Sequence, residues 1–345
     1  MKNNNQYFKL FASCVVVNGH SNAAIYDLGR NIVYSISLSF SKFLETYNEN
    51  KICEVYLNYD KTKWGLIDKY FNFLTTNDLI FVTELNSSFE NLKAIDFSYE
   101  YPFKLSGLIV SFESTENWLK LAGKVLFHIR EINCKNIQLR FSKFFGYNDI
   151  IEVLTFFKNS NFLSNLSIII NVSVSSEIFN KKNTLKIQIL NSIIFYGGDV
   201  IINEKQKKMF DNIEVVIYRG SDFPRFNNLN DLRFLNFNPN IISFSEAKNH
   251  NIYHNRKAYI SGNGNIYQSP FNFTLFGNIF NDSLKKIISI DSFKEFWDIT
   301  KDKIEVCKDC EFRYVCNDGR VPLKKSKTDI YYFTDKCNYN PYQMH

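Results

Sequence analysis

The sequence predicts an α/β protein in three parts: a winged-helix-like N-terminal unit, an open, partial (β/α) barrel, and a cysteine-rich C-terminal module. Three observations carry the prediction. Short apolar strands followed by amphipathic helices fill roughly the first 85 residues. Beyond Leu85, apolar runs alternate with amphipathic helices, the pattern of a parallel sheet built from βαβ units. Between Cys307 and Cys337, four of the seven cysteines fall at metal-ligand spacing.

The N-terminal elements follow in order. Phe11–Val17 reads as a strand ending at the turn Asn18-Gly19-His20, with further strands at Ala24–Leu28 and Asn31–Ser35. Ser39 precedes a helix that presents Phe40, Phe43, Leu44 and Tyr47, and a short second helix carries Ile52, Val55, Tyr56 and Tyr59. A third helix, with Thr62 as its N-cap, puts Trp64, Ile67, Tyr70, Phe71 and Leu74 on one face, before the extended Leu79–Thr83.

The barrel series runs as strand Leu108–Phe112, helix Asn117–Ile132, strand Asn136–Phe141, helix Asp149–Lys158 and strand Leu166–Asn171. Strands at Leu185–Leu190, Ser192–Tyr196 and Asn212–Tyr218 continue it. These units are too few to close an eightfold barrel. From Tyr259 the pattern becomes a hairpin with Gly262 and Gly264 at its turn, then a second turn at Phe276–Ile279 and short helical segments at Ser283–Ile290 and Ser292–Thr300. The expected parts are residues 1–88, 89–256 and 257–345.

At 345 residues and 45% apolar content the chain can bury a sizeable core. A net charge of +6, spread rather than blocked, argues against nucleic acid as a partner, which needs a concentrated basic face. No stretch approaches the ~20 uninterrupted apolar residues of a membrane span, so no membrane partner is expected. The start, Met1-Lys-Asn-Asn-Asn-Gln, has no apolar signal region, which makes the expected location cytoplasmic.

Cys307-x2-Cys310-x5-Cys316, with Cys337 twenty residues on, is a set of four thiolates that can surround one metal centre. Two cysteines separated by two residues aim both sulfurs at one ion across a tight turn. Softness alone leaves zinc and an iron–sulfur cluster both open. Four plain buried thiols, or two disulfides, are the alternative; an expected reducing compartment weighs against disulfides. Cys14, Cys53 and Cys134 stand singly in apolar surroundings.

Tyr259–Ile279, the cysteine run with its flanks from Asp298, and Cys337-Asn-Tyr-Asn-Pro-Tyr342 resemble the SPASM domains of radical-SAM peptide maturases. Within that group they are most similar to the SPASM proteins of grasp-with-SPASM systems, encoded beside an ATP-grasp ligase and a small precursor peptide. The resemblance is specific over about 250–342 and diffuse over 7–250. It implies a degenerate barrel of radical-SAM type and one [4Fe-4S] cluster on Cys307, Cys310, Cys316 and Cys337. A second cluster of the family is not implied, because its cysteines fall at Arg320 and near Ser269, neither a soft anionic ligand. The C-x3-C-x2-C loop of radical-SAM enzymes is also missing: after Phe112 stands Glu113-Ser-Thr-Glu-Asn-Trp118. SAM is therefore not an expected cofactor, and radical-SAM chemistry is not expected.

The N-terminal unit is similar in layout to PqqD-like precursor-peptide recognition elements, which bind a leader peptide as an added strand. Carried over, Asn31, Val33 and Ser35 would pair with the peptide backbone, while Trp64, Ile67, Asp68 and Phe71 would face its groove. The alternative is that this helix face is simply core.

The sequence carries weaker signals too. Gly262-Asn-Gly264 lacks the Lys-Ser/Thr of a phosphate loop, and Gly197-Gly198-Asp199 reads as a plain turn. Glu246, His250 and His254 read as a polar loop in preference to a metal site. Glu311, Arg313, Asp318 and Arg320 read as residues that fold the cysteine loop and balance charge at the sulfurs.

Together these readings point to an accessory maturation protein for a ribosomally made peptide, binding the precursor leader and working with an ATP-grasp ligase. Two other readings stand beside it: a redox or electron-transfer protein using the one cluster, and a zinc-stapled scaffold. No catalytic residue is assigned.

Overall fold

The computed structural model describes residues 5–89, 93–180, 188–198, 213–218 and 239–344. The N-terminal unit opens with strands β1 (Tyr7–Leu10), β2 (Cys14–Asn18), β3 (Asn22–Asp27) and β4 (Ile32–Ser37). Helices α1 (Leu38–Tyr47), α2 (Ile52–Leu57) and α3 (Trp64–Thr76) follow, and β5 (Ile80–Thr83) ends the unit. β2, β3 and β4 form an antiparallel sheet with β3 in the middle and β4 at an edge, while β1 pairs with β5.

Strand β3 is buried at every position, and its composition says why. Ala23 and Ile25 face a core of Phe8, Phe43 and Phe71, whereas Ala24 and Tyr26 face Val17, Leu28, Phe244 and Val315 on the other side. Both faces are covered, so the strand reads as a continuous apolar run and shows no alternation. The β3–β4 turn uses Asn31 at φ 62°, a left-handed conformation that asparagine tolerates. Arg30 ties this turn down, donating to Asp27 at 2.9 Å and reaching Asp78 at the end of α3.

The helix starts differ from the sequence reading. Ser37 caps α1, its hydroxyl accepting from the Phe40 N–H at 3.2 Å. The expected Thr62 cap is displaced by Asp60, whose carboxylate accepts from the Thr62 N–H at 2.9 Å and opens a 3₁₀ turn before α3 starts at Trp64. Asp60, a better capping residue than threonine, caps that turn, and α3 itself follows Lys63 with no side-chain cap.

The second part alternates β6 (Gly107–Phe112), α4 (Trp118–Glu131), β7 (Asn136–Phe141), α5 (Tyr147–Asn159), β8 (Asn165–Asn171), α6 (Ser175–Asn180), β9 (Leu190–Tyr196) and β10 (Glu214–Tyr218). After α7 (Ile241–Asn249) come β11 (Lys257–Ile260), β12 (Asn265–Tyr267) and β13 (Gly277–Asn278). One sheet holds them in the order β10-β9-β8-β7-β6-β11-β12-β13. Pairing is parallel from β10 through β11 and antiparallel beyond it. Leu108, Val110 and Phe112 of β6, with Ile137, Leu139 and Phe141 of β7, bury against the helices. Ser111 and Arg140 point to the other face, where the Tyr259 hydroxyl donates to Ser111 at 3.0 Å.

Of the expected strand Leu185–Leu190, residues 185–187 lie outside the described residues and β9 begins at Leu190. Asn212 and Asp199 lie outside them as well, while Gly197 sits at φ 90° in a turn. The expected division after residue 256 falls inside one sheet, since β11 pairs with β6 in register Ala258 opposite Leu108. Ala258, Ile260, Ile266 and Leu284 belong to the same core as β6 to β9. The C-terminal module thus extends the large sheet. No helix among the described residues is long and apolar enough to cross a membrane.

Candidate metal centre

The chain after Ile299 has little regular structure. It makes 3₁₀ turns at Lys301–Lys303 and Cys307–Asp309 and one short hairpin, β14 (Leu323–Lys324) with β15 (Tyr331–Tyr332). Side chains therefore hold its shape. Cys307, Cys310, Cys316 and Cys337 line a single cavity, with Lys301, Phe312, Arg313, Asp318, Arg320 and Tyr339 around them. All seven cysteines are free thiols, and Cys14, Cys53 and Cys134 lie elsewhere, on β2, on α2 and before β7.

The Cys307–Cys310 spacing works as a tight turn: the Cys310 N–H donates to the Cys307 carbonyl at 3.0 Å. Two residues on, the Phe312 N–H donates to the Cys310 sulfur at 3.4 Å, the kind of contact that stabilises a thiolate. Burial pushes the Cys316 thiol up to about 12 and raises Cys307 and Cys310 as well. A metal must therefore displace protons from these sulfurs on binding.

Beside the sulfurs lies a buried charge network. The Lys301 ammonium, 3% exposed, donates to the Asp318 carbonyl at 3.1 Å and lies 3.9 Å from its carboxylate. Arg320 forks onto the same carboxylate at 2.9 and 2.5 Å. Burial alone would raise Asp318; the two cations outweigh it and hold the carboxyl down at about 2. Burial would lower Lys301, yet Asp318, Cys316 and Cys307 raise it, so it stays charged next to the sulfurs. Phe333 covers both cations, with the Lys301 nitrogen 4.9 Å and the Arg320 guanidinium 4.3 Å from its ring centre.

A second group ties the loop down. Arg313 donates to Asp302 at 2.8 Å and to the Cys310 carbonyl at 3.0 Å, and Tyr314 donates to the same aspartate at 3.1 Å. Glu311 is buried and accepts from the Tyr339 hydroxyl. The reading of Glu311, Arg313, Asp318 and Arg320 as loop-folding residues therefore agrees with their contacts. Arg320 is engaged in this network, and the Ser269 hydroxyl accepts from the Phe271 N–H at 3.3 Å.

Lys301, Phe333, Tyr339 and Tyr26 are site residues that sequence reasoning missed. Nothing in a pattern marks one lysine among many as buried, and Tyr26 reads as an ordinary strand residue. Glu246, His250 and His254 do not converge: Glu246 accepts from Asn255, His250 meets Asp298 at 2.7 Å, and the His254 Nε2 meets the Arg320 carbonyl at 3.2 Å. Among the described residues, no three His, Cys, Asp or Glu side chains are placed to hold one metal ion.

The expected peptide-binding residues divide. Val33, half-buried, and Ser35, exposed, lie on the edge strand β4, whereas exposed Asn31 sits in the turn before it at φ 62° and is not placed to pair with a peptide strand. Ile67 and Phe71 are fully buried in the N-terminal core and cannot line a groove. Trp64 and Asp68 turn toward α2, the Trp64 ring N–H donating to the Tyr56 carbonyl at 3.0 Å and Asp68 accepting from the Tyr56 hydroxyl at 2.6 Å. The α3 face next to β4 is a different one. Phe73 packs on Tyr34 at 5.7 Å between ring centres, the Tyr70 hydroxyl meets Ser39 at 2.9 Å, and exposed Leu66 completes that stripe at helical spacing.

Residues 252–311 match the SPASM family model, an iron-sulfur cluster-binding domain. The match includes Cys307 and Cys310 and stops before Cys316 and Cys337. No curated protein matches in sequence. Among solved structures, BtrN in complex with AdoMet and 2-DOIA is 12% identical with a TM-score of 0.38, covering 68% of this chain and 99% of that one. Streptococcus suis SuiB bound to its precursor peptide SuiA is 10% identical with a TM-score of 0.29, covering 90% and 94%. The anSMEcpe structure with bound AdoMet is 12% identical with a TM-score of 0.34, covering 68% and 93%. At such loose superposition these likenesses assign neither substrate nor chemistry. The C-terminal module of this chain is, by its family match, similar to an iron–sulfur cluster-binding domain.

Proposed function

We propose that the chain holds one [4Fe-4S] cluster on Cys307, Cys310, Cys316 and Cys337 and serves as an accessory maturation protein for a ribosomally made peptide. The leader of the precursor would add as a strand to the edge of β4, and an ATP-grasp ligase would carry out the modification. The observation that carries the reading is the set of four sulfurs lining one cavity in and beside the matched cluster-binding segment. When bound, a cluster would supply either a structural cross-link or a one-electron redox couple. Lys301 and Arg320 would offset its negative charge, and the Phe312 N–H would donate to the Cys310 sulfur.

Peptide capture rests on the open edge of β4 and on the resemblance of the strand-then-helix layout to leader-binding units. Strand addition supplies affinity through the main chain, and the stripe of Tyr34, Leu66 and Phe73 supplies pockets for alternate side chains. Co-purification of the chain with its precursor and the ligase tests the proposal. A leader peptide that does not bind, with ligase activity indifferent to the chain, would overturn it.

A further inference from the structure

The cysteine loop is too irregular to hold its own shape, and much of what holds it comes from the opposite end of the chain. The Tyr26 hydroxyl on β3, fully buried, donates to the Glu311 carbonyl at 2.7 Å across 285 positions of sequence. In the β2–β3 turn the His20 N–H donates to the Asp309 carbonyl at 2.7 Å and the Ser21 N–H to the Pro341 carbonyl at 3.2 Å. Arg313 bridges the Asn18 carbonyl at 2.8 Å and the Cys310 carbonyl at 3.0 Å. Each contact falls on Asp309, Glu311 or Arg313, within three residues of Cys310, or on the tail beyond Cys337.

Gly19 shows how close this approach is. A Cβ there would stand 2.8 Å from the Glu311 nitrogen and 2.9 Å from the Asp309 oxygen, both backbone atoms that cannot swing away. Behind the turn, Val17, Ala24 and Tyr26 pack with Phe244 and Val315 into one small core.

We propose that the N-terminal unit is a structural part of the metal centre. The Asn18–Asn22 turn and Tyr26 are positioning elements that hold the Cys307–Cys316 loop in its cluster-binding shape. Loading of the cluster and docking of the N-terminal unit are then one linked event, and linkage is reciprocal: what fixes the loop fixes the turn, and the reverse. The β4 edge is the neighbour of β3, so the peptide-binding strand is seated on the rest of the protein through the same contacts. This inference rests on the cluster reading above.

The test uses the full chain, reconstituted anaerobically and compared with the same sample stripped by a chelator. The amides of His20 and Ser21 should exchange with solvent about tenfold faster or more in the stripped form, while Val110 in the sheet is unchanged. Tyr26→Phe, which removes only the hydroxyl, should load iron and lose it to chelator several-fold faster than wild type. Gly19→Val should hold less than about half the wild-type iron; if it fails to fold, the exchange comparison on wild type decides. Equal His20 and Ser21 exchange in loaded and stripped protein overturns the linkage and leaves the cluster reading standing. A wild-type chain that takes up no iron overturns the cluster reading and this inference with it.

Discussion

The Lys301 ammonium and the Asp318 carboxylate form a buried ion pair 3.9 Å apart at the wall of the cysteine cavity. Asp318→Asn strands the Lys301 ammonium where water does not reach it and should lower unfolding stability by about 3–5 kcal/mol in chemical denaturation. Lys301→Met leaves the carboxylate with its Arg320 fork and should cost clearly less. The double variant should lose less than the sum of the two, since the lysine is no longer there to be stranded. Additive losses would show that the two act separately.

His254 carries a pH dependence of known sign. It is buried, and burial lowers its imidazole to about 4, helped by the nearby Lys301 and Lys257 charges and opposed by the Arg320 carbonyl and the Asp318 carboxylate. The unfolded chain, with histidine near the ordinary value of about 6.5, binds the proton first as pH falls. Stability is therefore complete above about 6.5, declines between about 6.5 and 4, and levels off below, a loss on the order of 3 kcal/mol from this group. His254→Gln, which can still donate to Arg320, should flatten that slope in denaturation curves taken between pH 7 and 4. An unchanged slope would assign it to other groups.

Peptide capture at β4 separates surface from core. Tyr34→Ala should weaken binding of a leader peptide by roughly tenfold, a loss of about 1.4 kcal/mol, in a titration of fluorescent leader. Ile67→Ala, in the fully buried core, should instead cost about 2–5 kcal/mol of stability and leave affinity unchanged under folding conditions. The reverse pattern would restore the α3 face that the sequence suggested.

The cysteines themselves sort by position. Cys310→Ser and Cys316→Ser should remove the metal, while Cys53→Ser, on α2 and away from the cavity, should leave it in place. Metal retention in the first two variants would move the site elsewhere.

Much of this was legible in the sequence because periodicity and spacing are local. The βα alternation from β6 to α5 follows from apolar runs of strand length, and the spacing of Cys307, Cys310, Cys316 and Cys337 marks four thiols that line one cavity. What failed was phase and partnership. Ile67 and Phe71 share an apolar face, but sequence does not say whether that face meets a peptide or a core; tertiary packing on Phe8 and Phe43 decides. Thr62 falls inside a 3₁₀ turn that Asp60 caps, so α3 begins at Trp64 with no side-chain cap, which local pattern alone does not reveal. Tyr26 and Gly19 were invisible as site residues, since their importance lies in a partner 285 positions away.

Iron, acid-labile sulfide and zinc, measured together on wild-type chain purified without air, test the metal centre most directly. A [4Fe-4S] centre on the four C-terminal cysteines gives about four iron and four sulfide per chain, a brown sample and no stoichiometric zinc. One zinc per chain in a colourless sample, with neither iron nor sulfide, would contradict it.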